Sequence, residues 1–225
     1  ELKAKWFKPS KLTQDNAMGL NQEQRFWLSN NPNIKISLPD FDLPLGAFEN
    51  GRYQGILADF VIYIEENLFQ DWDEKFVKKG ELTANEWKEI DLTIVQSVDE
   101  ESYDAYIHSL PILSMPVVLL SDEKNRVYVD NLDSLDGVKV GVSSRAGFLT
   151  QLDNRFNNLL FIRYKSMKQA LLDIENERLD VLLCPLAQCM YLMDSLGSVN
   201  LRIIGQTDFQ EVFRFAVHRR HPILL

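Results

Sequence analysis

The sequence predicts an α/β fold, and the clearest evidence lies between residues 138 and 184. There "VKVGVS", "LLFIRY" and "LDVLLC" have the length and apolar content of buried strands. Two helical patterns alternate with them, marked by apolar residues at helical spacing: Leu149, Leu152 and Phe156 in one, and Met167, Ala170, Leu171 and Ile174 in the other. Strand–helix–strand–helix–strand with short connections predicts a parallel βαβαβ unit with right-handed crossovers.

Length and composition agree with this fold class and exclude others. The chain has 225 residues, of which 45% are hydrophobic, enough to bury a core in one large or two small lobes. Its formal net charge of −9 argues against a nucleic-acid partner, because phosphate binding requires a basic face. No run of eighteen apolar residues occurs, so the sequence predicts no membrane span.

The first predicted elements are a helix, a stop and a strand. Asn21 is a good N-cap with Gln24 at the capping-box position, and Asn31-Pro32 ends the helix because a residue before proline avoids the α region. The strand pattern "NIKISL" follows at once. We therefore expect the domain proper to begin near residue 33, with 1–32 as a linker and lead-in helix.

The middle of the chain supplies further strands of the same fold. Asn50-Gly51 lies between apolar flanks, which favours a hairpin or tight loop. A helical stripe covers 56–69, and "IDLTIVQ" reads as a strand buried on both faces. "PVVLLSD" is another strongly apolar strand.

Two cysteines, Cys184 and Cys189, are too few for a disulfide framework. They are either small buried residues at a strand end and in the following helix, or a local disulfide, which needs favourable Cβ geometry. The three histidines form no ligand spacing with them, so we expect no metal site.

Six stretches in fixed order resemble the type 2 periplasmic solute-binding (Venus flytrap) family. They are "RYQGILADF", "EIDLTIVQS", "SLPILSMPVVLLS", "LDSLDGVKVGVSS", "MKQALLDIENERLDVLL" and "RFAVHRRHPILL". The resemblance implies two lobes with a cleft between them and two crossover strands. It places lobe 1 at 33–113 plus 207–225 and lobe 2 at 114–206, with a ligand at the carboxyl ends of the strands.

The opening stretch resembles a narrower group. "LNQEQRFWLSNNPNIKISL" is similar to the segment that introduces each flytrap domain in hybrid sensor histidine kinases, and "KAKWF" resembles the last helix of a preceding flytrap module. This implies a periplasmic ectodomain of an inner-membrane signalling protein, anchored through segments outside this sequence and able to form a homodimer. The alternative is a transport component that delivers a non-amino-acid solute.

The residues that bind amino acids in this family are missing here. The family's carboxylate-binding arginine, nine residues before the proline of Ser-x-Pro, falls at Ser102, and its ammonium-binding acid falls at Pro185. Serine offers neither the charge nor the bidentate geometry of a guanidinium. The resemblance therefore predicts that an ordinary α-amino acid is not bound in the ordinary way.

Other positions remain candidates for a small anion, a carboxylate among them, or for a protein partner. Arg145 follows a strand at a predicted helix N-terminus, where N–H groups and partial positive charge favour anions. Arg145 could instead face solvent or pair with a surface acid, and residues 40–41 could be an ordinary loop. The expected ligand-binding residues are Asp40, Phe41, Ser97, Ser102, Ser143, Ser144 and Arg145.

We expect no catalysis and no cofactor. No Ser-His-Asp spacing, phosphate loop or paired helical carboxylates occur in the sequence. The acidic run 99–101 reads as a solvated loop, and His108 reads as a packing residue.

Overall fold

The computed structural model describes residues 19–68, 73–77, 84–96, 105–124, 132–135, 137–156, 159–197 and 200–225. Its helices are α1 (Gln22–Asn30), α2 (Ile56–Leu68), α3 (Ala84–Trp87), α4 (Leu149–Arg155), α5 (Met167–Glu175) and α6 (Leu186–Leu196). Its strands are β1 (Lys35–Pro39), β2 (Ala47–Glu49), β3 (Arg52–Gln54), β4 (Asp73–Val77), β5 (Leu92–Gln96), β6 (Tyr106–His108), β7 (Leu113–Asp122), β8 (Val140–Ser143), β9 (Phe161–Tyr164), β10 (Val181–Pro185) and β11 (Leu201–His218).

Two lobes share one sheet in the order β4-β1-β5-β11-β7-β10-β8-β9, with β6 paired to β11. In the first lobe, β1 runs parallel to β4 and β5. In the second lobe, β8 runs parallel to β9 and β10, which confirms the predicted βαβαβ unit. The fold is therefore α/β, as the sequence predicts.

Strands β7 and β11 connect the lobes. β11 pairs with β7 along the length of β7, and its C-terminal part also pairs with β5, while β7 pairs with β10 on its other side. The β7–β11 register shifts twice, between Ile203 and Gly205 and between Gln206 and Gln210. Because such irregularities bend and twist a strand pair, the two crossover strands curve as they pass from lobe to lobe.

Local signals in the sequence are confirmed at the start of the chain. Asn21 Oδ1 accepts from the Gln24 N–H at 2.8 Å and Gln24 Oε1 accepts from the Asn21 N–H at 3.0 Å, which is a complete capping box. Asn50 and Gly51 have φ of 53° and 77°, and they connect the paired strands β2 and β3. Two successive positive φ values are those of a type I′ hairpin turn.

Each lobe has its own hydrophobic core. In the first lobe, Ile36, Leu38 and Ile94 of the sheet pack with Leu57 and with Phe213 of β11. The second lobe is apolar on both faces of its strands, with α4 on one face and α5 and α6 on the other. All four residues of the predicted α5 stripe are buried: Met167, Ala170, Leu171 and Ile174.

Helix α1 is packed onto the first lobe. Leu28 is buried in the first-lobe core, and the Trp27 ring meets the His221 ring edge-on at 5.1 Å between centroids. Phe26, on the opposite side of α1, is 72% exposed. The lead-in helix and the segment after β11 therefore meet on the same lobe.

A buried carboxylate lies next to this contact. Asp91 is 7% exposed, and its oxygens accept from the Lys35 N–H at 2.9 Å and from Arg220 Nε at 2.9 Å. His221 Nε2 lies 3.1 Å from Asp91 Oδ1. We call Asp91, Arg220, His221, Lys35 and Trp27 the Asp91 junction.

Some predictions lie outside the described residues: the segment "KAKWF", and the candidate site residues Ser97 and Ser102. The predicted lobe boundaries stay a prediction. Among the described helices, none is long and apolar enough to cross a membrane. The described His, Cys, Asp and Glu residues form no group of three that could hold a metal ion.

Candidate functional site

The candidate site is a cleft at the carboxyl ends of four strands, where the two lobes face each other. β1, β5, β8 and β10 all end at its wall, which is where ligands bind in parallel α/β sheets. The cleft is lined by Asp40, Phe41, Asp42, Leu45 and Gln96 from the first lobe, by Ser143, Arg145, Ala146, Leu183, Pro185 and Gln188 from the second, and by Glu211 of β11.

Four of the predicted site residues line this cleft: Asp40, Phe41, Ser143 and Arg145. Ser144 follows Ser143 and donates its backbone N–H to the Tyr164 carbonyl oxygen at 2.8 Å, which fixes the turn. Pro185, where the family has an acid, is also in the lining.

Arg145 is bonded across the cleft. Its Nη2 donates to Oδ2 of Asp42, so a guanidinium of the second lobe is paired with a carboxylate of the first. The two side chains are 33% and 46% exposed, respectively. An anionic solute would offer Arg145 a carboxylate or a similar acceptor, and here the Asp42 carboxylate is that acceptor.

The loop that carries Asp42 is held in one conformation. Asp42 has φ of 65°, a left-handed value that aspartate tolerates better than most residues. Its N–H donates to Asp40 Oδ1 at 3.1 Å, and its carbonyl oxygen accepts from the Leu45 N–H at 3.0 Å. The Asp42 side chain is therefore aimed at the cleft by the backbone that carries it.

Phe41 both lines the cleft and supports the first lobe. Its ring meets Phe213 edge-on at 5.1 Å between centroids. The neighbouring Tyr53 donates its hydroxyl to the Pro39 carbonyl oxygen at 2.9 Å. Burial, and with it the Asp40 carboxylate, raises the pKa of Tyr53, so this hydroxyl stays protonated.

The turn after β8 is also bonded to the crossover strand. Gly147 donates its N–H to Glu211 Oε1 at 3.0 Å, and Glu211 is 1% exposed. This N–H belongs to the turn that the sequence proposed as an anion site, and a protein carboxylate now accepts from it. Helix α4 has only seven residues and no side-chain cap, so the positive charge on the second-lobe side of the cleft comes from the Arg145 side chain rather than from the helix.

Gln188, near the start of α6, was missed by the sequence reasoning. Gln188 is 6% exposed and lines the cleft together with Leu183 and Pro185. Behind them Cys184 and Cys189 are fully buried free thiols. Burial raises the pKa of Cys184, and the Cys189 thiol adds to the rise, so Cys184 is a packing residue in its protonated form.

The cleft is nearly closed and mostly acidic. It leaves about 20 Å³ for water-sized molecules, which is room for about one water. Among the described residues, the carboxylates of Asp40, Asp42 and Glu211 line it together with one guanidinium, that of Arg145. This space is too small for a solute of several heavy atoms.

Several solved structures are similar to this chain along most of its length. The VFT2 domain of BvgS from Bordetella pertussis has a TM-score of 0.73 at 18% identity, covering 91% of this chain and 88% of that one. A histidine kinase sensor domain with similarity to periplasmic binding proteins has a TM-score of 0.68 at 14% identity, with 83% and 82% covered. The arginine-bound form of truncated ArgBP from T. maritima has a TM-score of 0.64 at 17% identity, with 87% and 92% covered.

The chain has the Venus flytrap fold. No family model matches its sequence, and no curated protein matches it either. The flytrap here has the two crossover strands and the interlobe cleft that the resemblance predicted. In this cleft the guanidinium of Arg145 is already paired with a carboxylate of the same chain, that of Asp42.

Proposed function

We propose that this chain is the ligand-sensing flytrap domain of a membrane-bound bacterial signalling protein, located in the periplasm and anchored by segments outside this sequence. The observation that carries the proposal is a cleft closed by side chains from both lobes. Such a cleft can act as a sensor, because a ligand that binds the closed or the open arrangement of the lobes more tightly shifts the populations of the two arrangements.

The similarity to a histidine kinase sensor domain and to the BvgS VFT2 domain supports a sensor. In the crystal structure of the BvgS periplasmic domain, the match covers only 40% of that chain. A comparable module here would be one part of a larger periplasmic region. In such a protein we expect a homodimer.

For the ligand we propose a small anionic solute, with a carboxylate as the simplest example. Arg145 is the group that would bind it, and Gln188 and Ser143 are polar neighbours in the lining. With Ser102 and Pro185 at the clamp positions, an α-amino acid would find neither of its usual charged partners. The alternative occupant is a periplasmic protein that binds the lobe surfaces around a cleft holding no solute.

A second candidate function is solute delivery to a transporter. The match to ArgBP, which covers 92% of that chain, favours it. Fractionation of cells that express the complete natural protein separates the two functions. A sensor stays with the membranes after an alkaline wash, whereas a delivery protein is released by osmotic shock.

A thermal-shift screen tests the ligand proposal. Carboxylates, nucleobases, sugars, polyamines and amino acids are each tested at up to 10 mM. A ligand at one hundred times its Kd adds about 2.7 kcal/mol, a rise in Tm of about 5 °C or more for a chain of this size.

We expect a rise with carboxylates that Arg145→Ala abolishes. Arg163→Ala is the matched control, because Arg163 is a second-lobe arginine paired with Asp153 rather than part of the cleft lining. A rise with polyamines alone would overturn the anion proposal. Silence across all five classes would favour the protein partner.

A further inference from the structure

The Asp42–Arg145 contact has the same chemistry as the solute contact proposed for this cleft. Arg145 is the one cation in the cleft lining of the described residues, and its partner is a carboxylate from the opposite lobe. An arginine–carboxylate pair is a charge-assisted hydrogen bond, stronger than a neutral one. The cleft thus contains a substitute for an anionic solute within its own chain.

We propose that Asp42 is the internal occupant of the Arg145 site. It holds the cleft closed without a solute, and an anionic solute binds Arg145 only by displacing it. The closure half of this inference rests on the two-lobed fold alone, whereas the displacement half rests on the proposed anion function. Asp42 is therefore a residue that sets both the affinity and the resting state of the flytrap.

The backbone makes Asp42 suited to this role. Its backbone is held by the left-handed φ of 65° and by the hydrogen bonds from the Leu45 and Gly46 N–H groups to its carbonyl oxygen, which keeps the carboxylate within reach of Arg145. A free solute loses translational and rotational freedom when it binds, whereas a tethered carboxylate acts at a high effective concentration. Asp42 therefore competes well with a free anion of the same chemistry.

The exposure of the pair makes the contact weak enough for a solute to displace it. Arg145 and Asp42 are 33% and 46% exposed, so solvent and salt screen their attraction. Exposed pairs of this kind change an equilibrium by about two- to fivefold. Removing the pair should therefore raise the ratio of open to closed molecules by that factor.

Distances between spin labels on the two lobes test the closure half. The labels are attached to Glu66→Cys in α2 and Leu160→Cys before β9, both exposed, while the two native cysteines are buried. Asp42→Asn is the central variant, because asparagine also accepts a left-handed φ and removes only the charge. Asp153→Asn is the control, since it removes the same charge from an exposed pair with Arg163 inside the second lobe.

We expect Asp42→Asn to raise the open-to-closed ratio about two- to fivefold and Asp153→Asn to leave it unchanged. Arg145→Gln should have the same effect as Asp42→Asn, and the double variant should open no further, because both changes remove one contact. An unchanged distance distribution in Asp42→Asn would overturn the inference, as would an equal change in Asp153→Asn.

Acetate titration tests the displacement half. The rise in Tm with acetate should appear at about two- to fivefold lower concentration in Asp42→Asn than in the natural chain, and it should vanish in Arg145→Gln. Equal responses of Asp42→Asn and the natural chain would overturn displacement. If neither responds while the spin-label result holds, the anion function fails and the closure by Asp42 stands.

Discussion

Two contacts in this molecule use the same pair of residue types and differ in nearly every other respect. At the Asp91 junction, the carboxylate is 7% exposed and binds a backbone N–H, Arg220 and His221 within one lobe. In the cleft, Asp42 is about half exposed and meets Arg145 of the other lobe. The first contact should be costly to break, whereas the second should be cheap to break, as the proposed displacement by an anion requires.

The largest expected effect is at the junction. Asp91→Ala removes a carboxylate that holds Arg220 and the start of β1, so the free energy of unfolding should fall by about 3 kcal/mol. Urea unfolding measures it. Asp153→Ala, which removes an exposed carboxylate paired with Arg163, should cost about 1 kcal/mol or less. Similar losses in both variants would show that the buried Asp91 carboxylate contributes no more to stability than an exposed one.

Helix α1 should share the rigidity of the junction. Leu28→Ala leaves a cavity in the first-lobe core and should cost about 2–3 kcal/mol. Phe26→Ala on the same helix removes a ring that is 72% exposed and should cost about 0.5 kcal/mol or less. The two variants differ in which face of α1 they change, so equal losses in chemical unfolding would mean that α1 is not packed as described.

The cleft pair should contribute little to stability. Asp42→Asn should lower the free energy of unfolding by about 1 kcal/mol or less, because both partners stay partly hydrated after the charge is removed. The difference in unfolding free energy between Asp42→Asn and the natural chain should become smaller still in 0.5 M salt, because screening weakens the pair in the natural chain. A loss as large as that of Asp91→Ala would remove the distinction between the two contacts.

Mild acid should weaken the first lobe by a smaller amount. Burial and the guanidiniums of Arg214 and Arg219 lower the pKa of His108 below its usual value, and burial and Arg220 lower the pKa of His218. As the pH falls through about 6.5, the unfolded chain binds protons that the folded chain does not, so stability falls until the pH is below the folded-state values.

We expect unfolding free energies measured between pH 7.5 and 5.5 to fall with pH, and His108→Gln to make that slope shallower. A slope that is unchanged in His108→Gln would assign the acid sensitivity to other groups.

The sequence predicted those features that depend on neighbouring residues. The capping box of Asn21 and Gln24, the Asn50-Gly51 turn and the α5 stripe are local patterns, and all are confirmed. The cleft residues that follow directly from strand ends, Asp40 and Arg145, were found in the same way.

The remaining cleft residues depend on contacts that are distant in the chain. Glu211 is buried in β11, and its partner Gly147 lies 64 positions away in the sequence, so its place in the cleft depends on the tertiary fold. Asp42 was passed over although Asp40 and Phe41 were named, because its role follows from a left-handed φ and a partner 103 positions away. An acid inside an apolar strand such as "QEVFRFAV" was the one available signal for Glu211.

Trp27 before β1 and His221 after β11 touch each other on the first lobe, and this contact has a mechanical consequence. Both residues belong to the first lobe, which is joined to the second lobe by β7 and β11. If the lobes move apart, as the proposed sensing requires, the Trp27–His221 contact should therefore stay unchanged. In the proposed sensor, a change in the cleft would then reach other domains through the surface of the second lobe.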